Sequence, residues 1–156
     1  MAADSNLLES FYQTVNFHFM VSFKPDDTSS VDTRFQSVTG LDSTIDTESF
    51  KEGGENRFEH VVPVRRKYGP LTLKRGLLGP DASEVTKWLK RAFDDEQVEP
   101  IASVDISLLD ENHQILMQWT VNNVWPRSWK LGELNAERGE ILIETLELNY
   151  NRLVFG

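Results

Sequence analysis

The sequence predicts a mainly β fold, an antiparallel sandwich or barrel with one α-helix packed against it. Apolar residues alternate with polar ones in residues 15–23, 102–109 and 115–121, which is typical of strands with one buried face. One segment, residues 81–94, has apolar residues at helical spacing instead. The strands fall into two runs separated by this helix, which favours an antiparallel fold over alternating βαβ units.

Composition limits the class of protein. The chain has 156 residues, of which 39% are hydrophobic and 26% charged, as expected for one globular domain. Sixteen aromatic residues spread along the chain argue against disorder, and no stretch approaches the ~20 apolar residues of a membrane span. The absence of cysteine excludes disulfides and a cysteine nucleophile. The first nine residues do not resemble a signal peptide, so we expect synthesis in the cytoplasm.

The first run of strands begins at residues 15–23, and the polar residues 24–30 that follow predict a loop. Residues 34–41 and 44–50 predict two weaker strands, with a bend at Gly40. Residues 51–56, with two glycines among polar residues, predict a loop. Two further strands are predicted at residues 58–64 and 71–74, on either side of the basic run at residues 65–67 and a turn at residues 68–70.

The predicted helix has its apolar residues at i, i+3, i+4, i+7 and i+8, which places them on one face: Val85, Trp88, Leu89, Ala92 and Phe93. Asp81 with Glu84 three residues later resembles a capping box. The opposite face carries Lys87, Lys90 and Arg91, which complement the C-terminal end of the helix dipole.

The second run of strands follows the helix. Residues 102–109 and 115–121 predict a hairpin that turns at residues 110–112. Pro126 and Gly132 interrupt the next stretch, so Trp125 and Pro126 are predicted at a strand end, as a candidate interface anchor. Residues 141–150 predict the last strand, whose imperfect alternation indicates either a bulge or partial cover on both faces.

Charge is distributed unevenly. Residues 57–91 hold nine Lys/Arg against three acids, whereas residues 26–55 hold eight acids against two basic residues. The two blocks are either solvated faces or opposite surfaces of a protomer that contacts copies of itself. A sequence pI near 4.8 disfavours general nucleic-acid binding.

No catalytic constellation is present in the sequence. The three histidines lack metal-ligand spacing, and there is no nucleophile elbow, P-loop or dinucleotide fingerprint. Trp119, Trp125 and Trp129 fall within eleven residues, where they are either packing residues or a stacking platform for a glycan. We therefore predict no enzymatic activity, no metal and no cofactor. A monomeric glycan- or ligand-binding sandwich is an alternative, and a hydrolase with two carboxylates is the least favoured one.

An ordered set of motifs resembles a known family. The set includes the E-x-x-x-E-G-G-x-N pattern of residues 48–56, the L-x-L-K-R-G pattern of residues 71–76, and residues 119–126 and 146–150. Together these motifs resemble the tail-tube protein family of contractile phage tails and contractile injection systems, from about Phe17 to Tyr150. We therefore expect a single tail-tube domain over residues 1–156, with residues 1–14 as an N-terminal extension.

The resemblance implies two antiparallel sheets that form a sandwich or split barrel with one flanking α-helix. It implies a structural subunit of the inner tube, in which hexameric rings stack into a hollow conduit that sheath contraction drives through the target envelope. The implied partners are further copies of the chain, a sheath protein, baseplate and tube-initiator proteins, and a cargo of DNA or protein effector. It also implies assembly into a phage tail or phage tail-like particle, without membrane insertion of the monomer. A baseplate-proximal tube initiator is the alternative within the family.

Four sets of residues are assigned to assembly as hypotheses. The first is an inter-ring or inter-subunit loop at residues 48–57, comprising Glu48, Phe50, Lys51, Glu52, Gly53, Gly54, Glu55, Asn56 and Arg57. The second is a basic interface formed by Arg65, Arg66, Lys67, Lys74 and Arg75. The third is a sheath-facing set on the helix, Lys87, Lys90 and Arg91, and the fourth is the anchor Trp125 and Pro126.

Overall fold

The structure is a computed structural model that describes residues 18–26, 31–51, 53–54, 59–79 and 83–156. These residues form one helix and ten strands. The first five strands are β1 (Phe19–Lys24), β2 (Val31–Thr33), β3 (Ser37–Thr39), β4 (Ser43–Lys51) and β5 (Glu59–Tyr68). They are followed by β6 (Leu71–Gly76), α1 (Glu84–Phe93), β7 (Ile101–Leu109), β8 (Ile115–Leu131), β9 (Ile143–Asn149) and β10 (Arg152–Phe155).

Two antiparallel sheets share the long strand β8, and the predicted fold class is therefore confirmed. The order of strands is β2-β1-β7-β8-β9-β6-β3, with β10 paired to β8 outside this path. The N-terminal part of β8 pairs with β7, for example Trp119 with Ile106, whereas its C-terminal part pairs with β9, for example Trp129 with Leu146. Strand β8 thus carries the connection between the two sheets.

Strands β9 and β10 continue one another along β8. Asn149 lies opposite Trp125 and Arg152 lies opposite Asn122, so both pairings belong to one antiparallel ladder. The Asn151 N–H donates to the Asn122 carbonyl at 3.0 Å between them, and Gly156 exchanges two backbone hydrogen bonds with Gln118. The C-terminal segment therefore forms a long hairpin with β8. The last strand was predicted only as far as residue 150, and β10 was not predicted.

One hydrophobic core lies between the sheets and the helix. It joins side chains from β1, β6, β7, β8 and β9 to three side chains of α1. Phe23 on β1 contacts Trp88 on the helix, with ring centroids 6.3 Å apart, and Phe35 at 6.1 Å. The predicted alternation in β7 places Val104, Ile106 and Leu108 in buried positions, as expected. The apolar periodicities of the sequence therefore identified many residues of this core, but Phe93 and Ile115, which they place on buried faces, are 42% and 56% exposed.

The helix begins three residues later than predicted, and its cap is a different residue. Ser83 is the N-cap, and its side chain accepts a hydrogen bond from the Thr86 backbone N–H at 3.3 Å. The predicted capping residue Asp81 lies outside the described residues. Val85, Trp88, Leu89 and Ala92 are buried as predicted. Trp88 is also held by a hydrogen bond from its indole Nε1 to the Glu99 carbonyl at 2.7 Å. No helix in the described part of the chain is long and apolar enough to cross a membrane.

Two predicted breaks in strands are wrong. The basic run at residues 65–67 lies inside β5, and β8 continues through Pro126 to Leu131. The ladder between β8 and β9 shifts register between Pro126 and Ser128. Proline is tolerated at such irregularities, because its missing N–H costs no ladder hydrogen bond there. The sequence analysis assigned no element to residues 31–33, where the structure has strand β2.

A buried ion pair joins β6 to β9 and also contacts the start of the helix α1. The Arg75 guanidinium on β6 contacts the Glu144 carboxylate on β9 through Nε, and both residues are only 2% exposed. Arg75 Nη2 also donates to Ser83 Oγ at 3.1 Å and to Thr86 Oγ1 at 2.9 Å, at the start of α1. Trp129 on β8 donates to the other Glu144 oxygen at 2.9 Å. Four elements are thus joined by one polar cluster.

The side chain of Tyr150 contacts the turn between β5 and β6. Its hydroxyl donates to the Gly69 carbonyl at 2.8 Å, and its ring lies 5.7 Å from that of Tyr68. Gly40 passes close to the same turn with φ +92°, and a Cβ there would lie 2.1 Å from the Pro70 carbonyl oxygen. Burial raises the pKa of the Tyr150 phenol above its ordinary 10.0, with smaller contributions from Asp42 and Tyr68.

We expect Glu144→Gln to lower the free energy of unfolding by about 3–5 kcal/mol, because it leaves the Arg75 charge buried without its counter-ion. Urea denaturation followed by circular dichroism measures this loss. The matched control is Glu147→Gln on the same strand, whose exposed partner Lys130 lies 3.9 Å away. That control should lose less than about 1 kcal/mol. Equal losses in the two variants would contradict a structural role for the buried pair.

We expect the contribution of the Tyr150 hydroxyl to depend on pH in the alkaline range. The folded state binds the phenolic proton more tightly than the unfolded chain, so the contribution is complete below pH 10 and is lost as pH rises through the raised pKa. Tyr150→Phe should therefore cost about 1 kcal/mol of unfolding free energy at neutral pH. The difference from wild type should shrink above pH 10. A difference that is constant across this range would overturn the expectation.

Candidate assembly surfaces

Strands β4 and β5 form a two-stranded ribbon outside the core. The pairing runs from Ser43 opposite Tyr68 to Lys51 opposite Glu59, and neither strand pairs with another one among the described residues. Nearly every side chain of the ribbon is exposed. An isolated two-stranded hairpin is only marginally stable in water, so a ribbon of this length gains stability when something covers it.

The two faces of the ribbon differ in chemistry. Residues directly opposite each other share a face, and the ladder shifts between Asp46 and Thr47, where β5 carries one extra residue. We call the first face the apolar ribbon face, and it presents Ile45, Val61, Pro63 and Arg66. The far end of this face carries the ion pair of Lys51 with Glu59, whereas the second face carries Arg65, Lys67, Val62 and two aromatic rings. On it Lys67 Nζ lies 2.6 Å from Asp46 Oδ2, and the rings of Phe50 and His60 stack 5.3 Å apart.

The predicted loop at residues 48–57 is only partly a loop. Glu48, Phe50 and Lys51 belong to β4, where they extend the ribbon. Gly53 and Gly54 form a turn, and Gly54 has φ +102°, a conformation that glycine adopts without strain. The other predicted members, Glu52, Glu55, Asn56 and Arg57, lie outside the described residues. Strand pairing across the ribbon extends β4 beyond what the polar sequence indicates.

The predicted basic interface divides into three environments. Arg65, Arg66 and Lys67 are exposed on β5, and Lys74 is exposed on β6. Arg75, in contrast, is buried against Glu144 and does not belong to a surface. The alternation of β6 explains this, because Leu71, Leu73 and Arg75 all point to the buried side of the strand. The burial of Arg75 is indicated in the sequence by its spacing, because it follows Leu71 and Leu73 in the same alternation along the strand.

The three helix cations lie on the solvent side of α1. Lys87 pairs with Glu84 at 3.0 Å, one turn away on the same helix. Lys90 and Arg91 are exposed in the last turn, where positive charge favours the helix C-terminus. The exposed apolar side chains of Leu77 and Leu78 line a cavity together with Lys90. This face therefore combines cations with apolar surface.

The predicted anchor at Trp125 and Pro126 is wrong in its placement. Both residues lie within β8 rather than at a strand end, and Pro126 is buried. The exposed apolar side chains of this region lie further along the chain, at Leu131, Leu134 and Ile141. Leu131 is the last residue of β8, and the other two belong to the segment that connects β8 to β9, which we call the β8–β9 segment (residues 132–142). Sequence reasoning missed it, although apolar residues in an otherwise polar stretch bounded by glycine are a visible signal.

The described residues offer no arrangement typical of catalysis. No group of three or more His, Asp or Glu side chains among them is placed to hold a metal ion. His18 and His113 lie with ring centroids 4.6 Å apart, but they come from neighbouring strand ends without a carboxylate ligand beside them. The Trp119 ring packs on Phe155 and against the core rather than lining a cleft.

Comparisons with known proteins identify relatives of this chain. The family model described as T4-like virus tail tube protein gp19 matches residues 15–154. A chain of the anti-feeding prophage baseplate is 30% identical with a TM-score of 0.84, and the match covers 93% of this chain and 96% of that one. A chain of an extracellular contractile injection system, from its sheath–tube complex in the extended state, is 24% identical with a TM-score of 0.79 over 99% of both chains.

More distant structures share the fold alone. An Hcp protein superposes with a TM-score of 0.57 at 10% identity, covering 88% of this chain and 91% of that chain. A comparison with curated protein sequences found no match. The family model extends over most of the chain, and the baseplate relative matches nearly all of it. The chain therefore belongs to the T4-like tail tube protein family.

Proposed function

We propose that this protein is the structural subunit of the inner tube of a contractile tail or injection system. Six copies form a ring, and the rings stack into a hollow conduit that sheath contraction drives through the target envelope. The observation that carries this proposal is the family match over residues 15–154 on a fold whose β4–β5 ribbon is uncovered in the single chain. The role is mechanical and electrostatic, and it uses no catalytic group.

The edge strands of the described sheets support an assembly in which copies join edge to edge. Strands β2 and β3 lie at the two ends of the described sheet path, and β10 pairs on one side only, with β8. Unpaired edges are aggregation hazards unless something covers them, and a closed ring of subunits pairs them. Contacts between different surfaces close into rings or repeat into filaments, and a stacked tube uses both.

The relatives support the partners that we assign. One comes from a baseplate, one from a sheath–tube complex, and a third, 26% identical with a TM-score of 0.77, from the cap that terminates the anti-feeding prophage tube. We propose that the chain contacts a sheath protein, baseplate and initiator proteins, and further copies of itself, and that cargo passes through its bore. Its place is then a phage tail or phage tail-like particle. The single domain spans residues 1–156, with residues 1–14 as an extension.

We expect the purified protein to form rings of uniform diameter, or hollow tubes, in negative-stain electron microscopy across a concentration series. Reversing Arg65 and Arg66 to Glu should prevent assembly, because both cations are exposed on the ribbon and supply charge to its contacts. Circular dichroism should show an unchanged fold, since neither side chain belongs to the core. Small monodisperse particles of wild type at every concentration would contradict the main-tube role. Single rings that do not stack would favour the initiator alternative.

We expect replacement of Lys87, Lys90 and Arg91 by Ala to weaken binding of the sheath protein by roughly tenfold, as three exposed charge contacts allow. The cations lie on the solvent side of α1, so the variant should assemble into tubes as the wild type does. Co-sedimentation of tubes with sheath protein at two salt concentrations measures the effect, which salt should diminish for wild type only. Unchanged sheath binding would show that another surface carries this contact.

A further inference from the structure

We propose that the apolar ribbon face of one copy docks into a pocket formed by the β8–β9 segment of a second copy, with Arg66 facing the acidic side chains of that pocket. The inference rests on the proposed tube assembly and specifies which two surfaces meet in it. The proposal is supported by the exposure and the charge of the two surfaces. Both present exposed apolar side chains, and each carries charged groups of the sign opposite to those of the other.

The β8–β9 segment is a folded pocket rather than a loose connection. The Gly132 N–H donates a hydrogen bond to the Ile143 carbonyl at 2.9 Å, which joins the two ends of the segment. Asn135 supports its turn, accepting from the Glu137 N–H at its side-chain oxygen at 3.0 Å. The segment surrounds an open cavity of about 640 Å³, within the size range of binding pockets.

The pocket presents apolar side chains to solvent. Leu134 is 79% exposed and Ile141 is 74% exposed, and both line the cavity. Exposed apolar groups of this size, gathered in a concave site with a polar rim, are typical of contact surfaces. The apolar ribbon face has the complementary form, since it lies on a narrow projecting ribbon and carries Val61 at 61% exposure beside Ile45 and Pro63.

Charge points to the same pairing. The β8–β9 segment carries Glu133, Glu137 and Glu140 against one cation, Arg138, and none of the four forms an ion pair with a residue that the structure describes. On the ribbon Lys67 is already paired with Asp46, whereas Arg66 on the apolar face has no ion-pair partner in the described chain. An unpaired cation within an apolar face thus matches unpaired carboxylates at the rim of an apolar pocket.

The partner must be a second copy of the chain. Both surfaces are exposed within one molecule, so neither covers the other in the same chain. The ribbon and the pocket are also different surfaces, and a contact between them leaves a free ribbon on one copy and a free pocket on the other. Such a heterologous contact propagates from copy to copy, as a ring or a stacked tube requires.

Cysteine cross-linking tests the contact directly, because the natural chain contains no cysteine. A variant with both Val61→Cys and Leu134→Cys should give a ladder of multimers on a non-reducing gel after mild oxidation, and reduction should return it to monomer. An equimolar mixture of the two single variants should give dimers. The matched control replaces Val61 by its neighbour, as Val62→Cys with Leu134→Cys, since Val62 lies on the opposite ribbon face. Absence of the ladder, or an equal ladder from the control, would overturn the proposal.

Charge exchange provides a second test that also separates this inference from the proposed function. Arg66→Glu, and separately the pair Glu133→Lys with Glu140→Lys, should each reduce tube assembly at least tenfold at equal protein concentration. Combining them should restore assembly to within a few-fold of wild type. The matched control is Arg65→Glu, on the other ribbon face, which the pocket reversal should not rescue. If wild type forms tubes but the combination stays defective, the tube function stands and this pairing is overturned. If the variant with Val61→Cys and Leu134→Cys gives the cross-linked ladder but wild type forms neither rings nor tubes, the pairing stands and the tube function is overturned.

Discussion

The buried ion pair between Arg75 and Glu144 is the constraint on which the rest of the structure depends. A guanidinium remains charged in the interior, so the fold has to supply a counter-ion and further acceptors around it. Glu144 provides the charge, and Ser83 and Thr86 provide hydroxyl acceptors at the start of α1. Phe35 adds a ring 5.2 Å from the guanidinium carbon. These directional contacts set the position of the helix α1 against β6 and β9. Apolar packing alone is not directional and would allow the helix to shift.

The strand β8, which the two sheets share, also contacts this cluster. Trp129 reaches Glu144 from the C-terminal part of β8, while the N-terminal part of that strand pairs with β7 and β10. The strand therefore connects the polar cluster of one sheet to the apolar core between both sheets. Among the described residues of the β4–β5 ribbon, only Tyr68 at the end of β5 packs against this core.

The basic block of the sequence performs several physical tasks rather than one. Arg75 is an internal structural ion, Lys67 pairs across the ribbon, and Lys87 pairs along the helix. Only the cations without such partners have their full charge available for a neighbouring molecule. A net charge counted along the chain does not distinguish these tasks, since the distinction depends on which carboxylate the fold places beside each cation. The set of exposed cations without an ion-pair partner in the described chain is consequently smaller than the basic block of the sequence.

The sequence by itself determined the fold class, the helix and the strands β7 and β8 up to residue 121, because their apolar periodicities are local and strong. Its ordered motifs also indicated the family. Only the tertiary structure decided that β8 continues through Pro126, that β10 extends β9, and that the basic run at residues 65–67 belongs to a strand. Each of these depends on pairing with another strand, which supplies hydrogen bonds that the residues of the strand do not reveal by themselves. The burial of Arg75 is of the same kind, since its counter-ion lies 69 residues away.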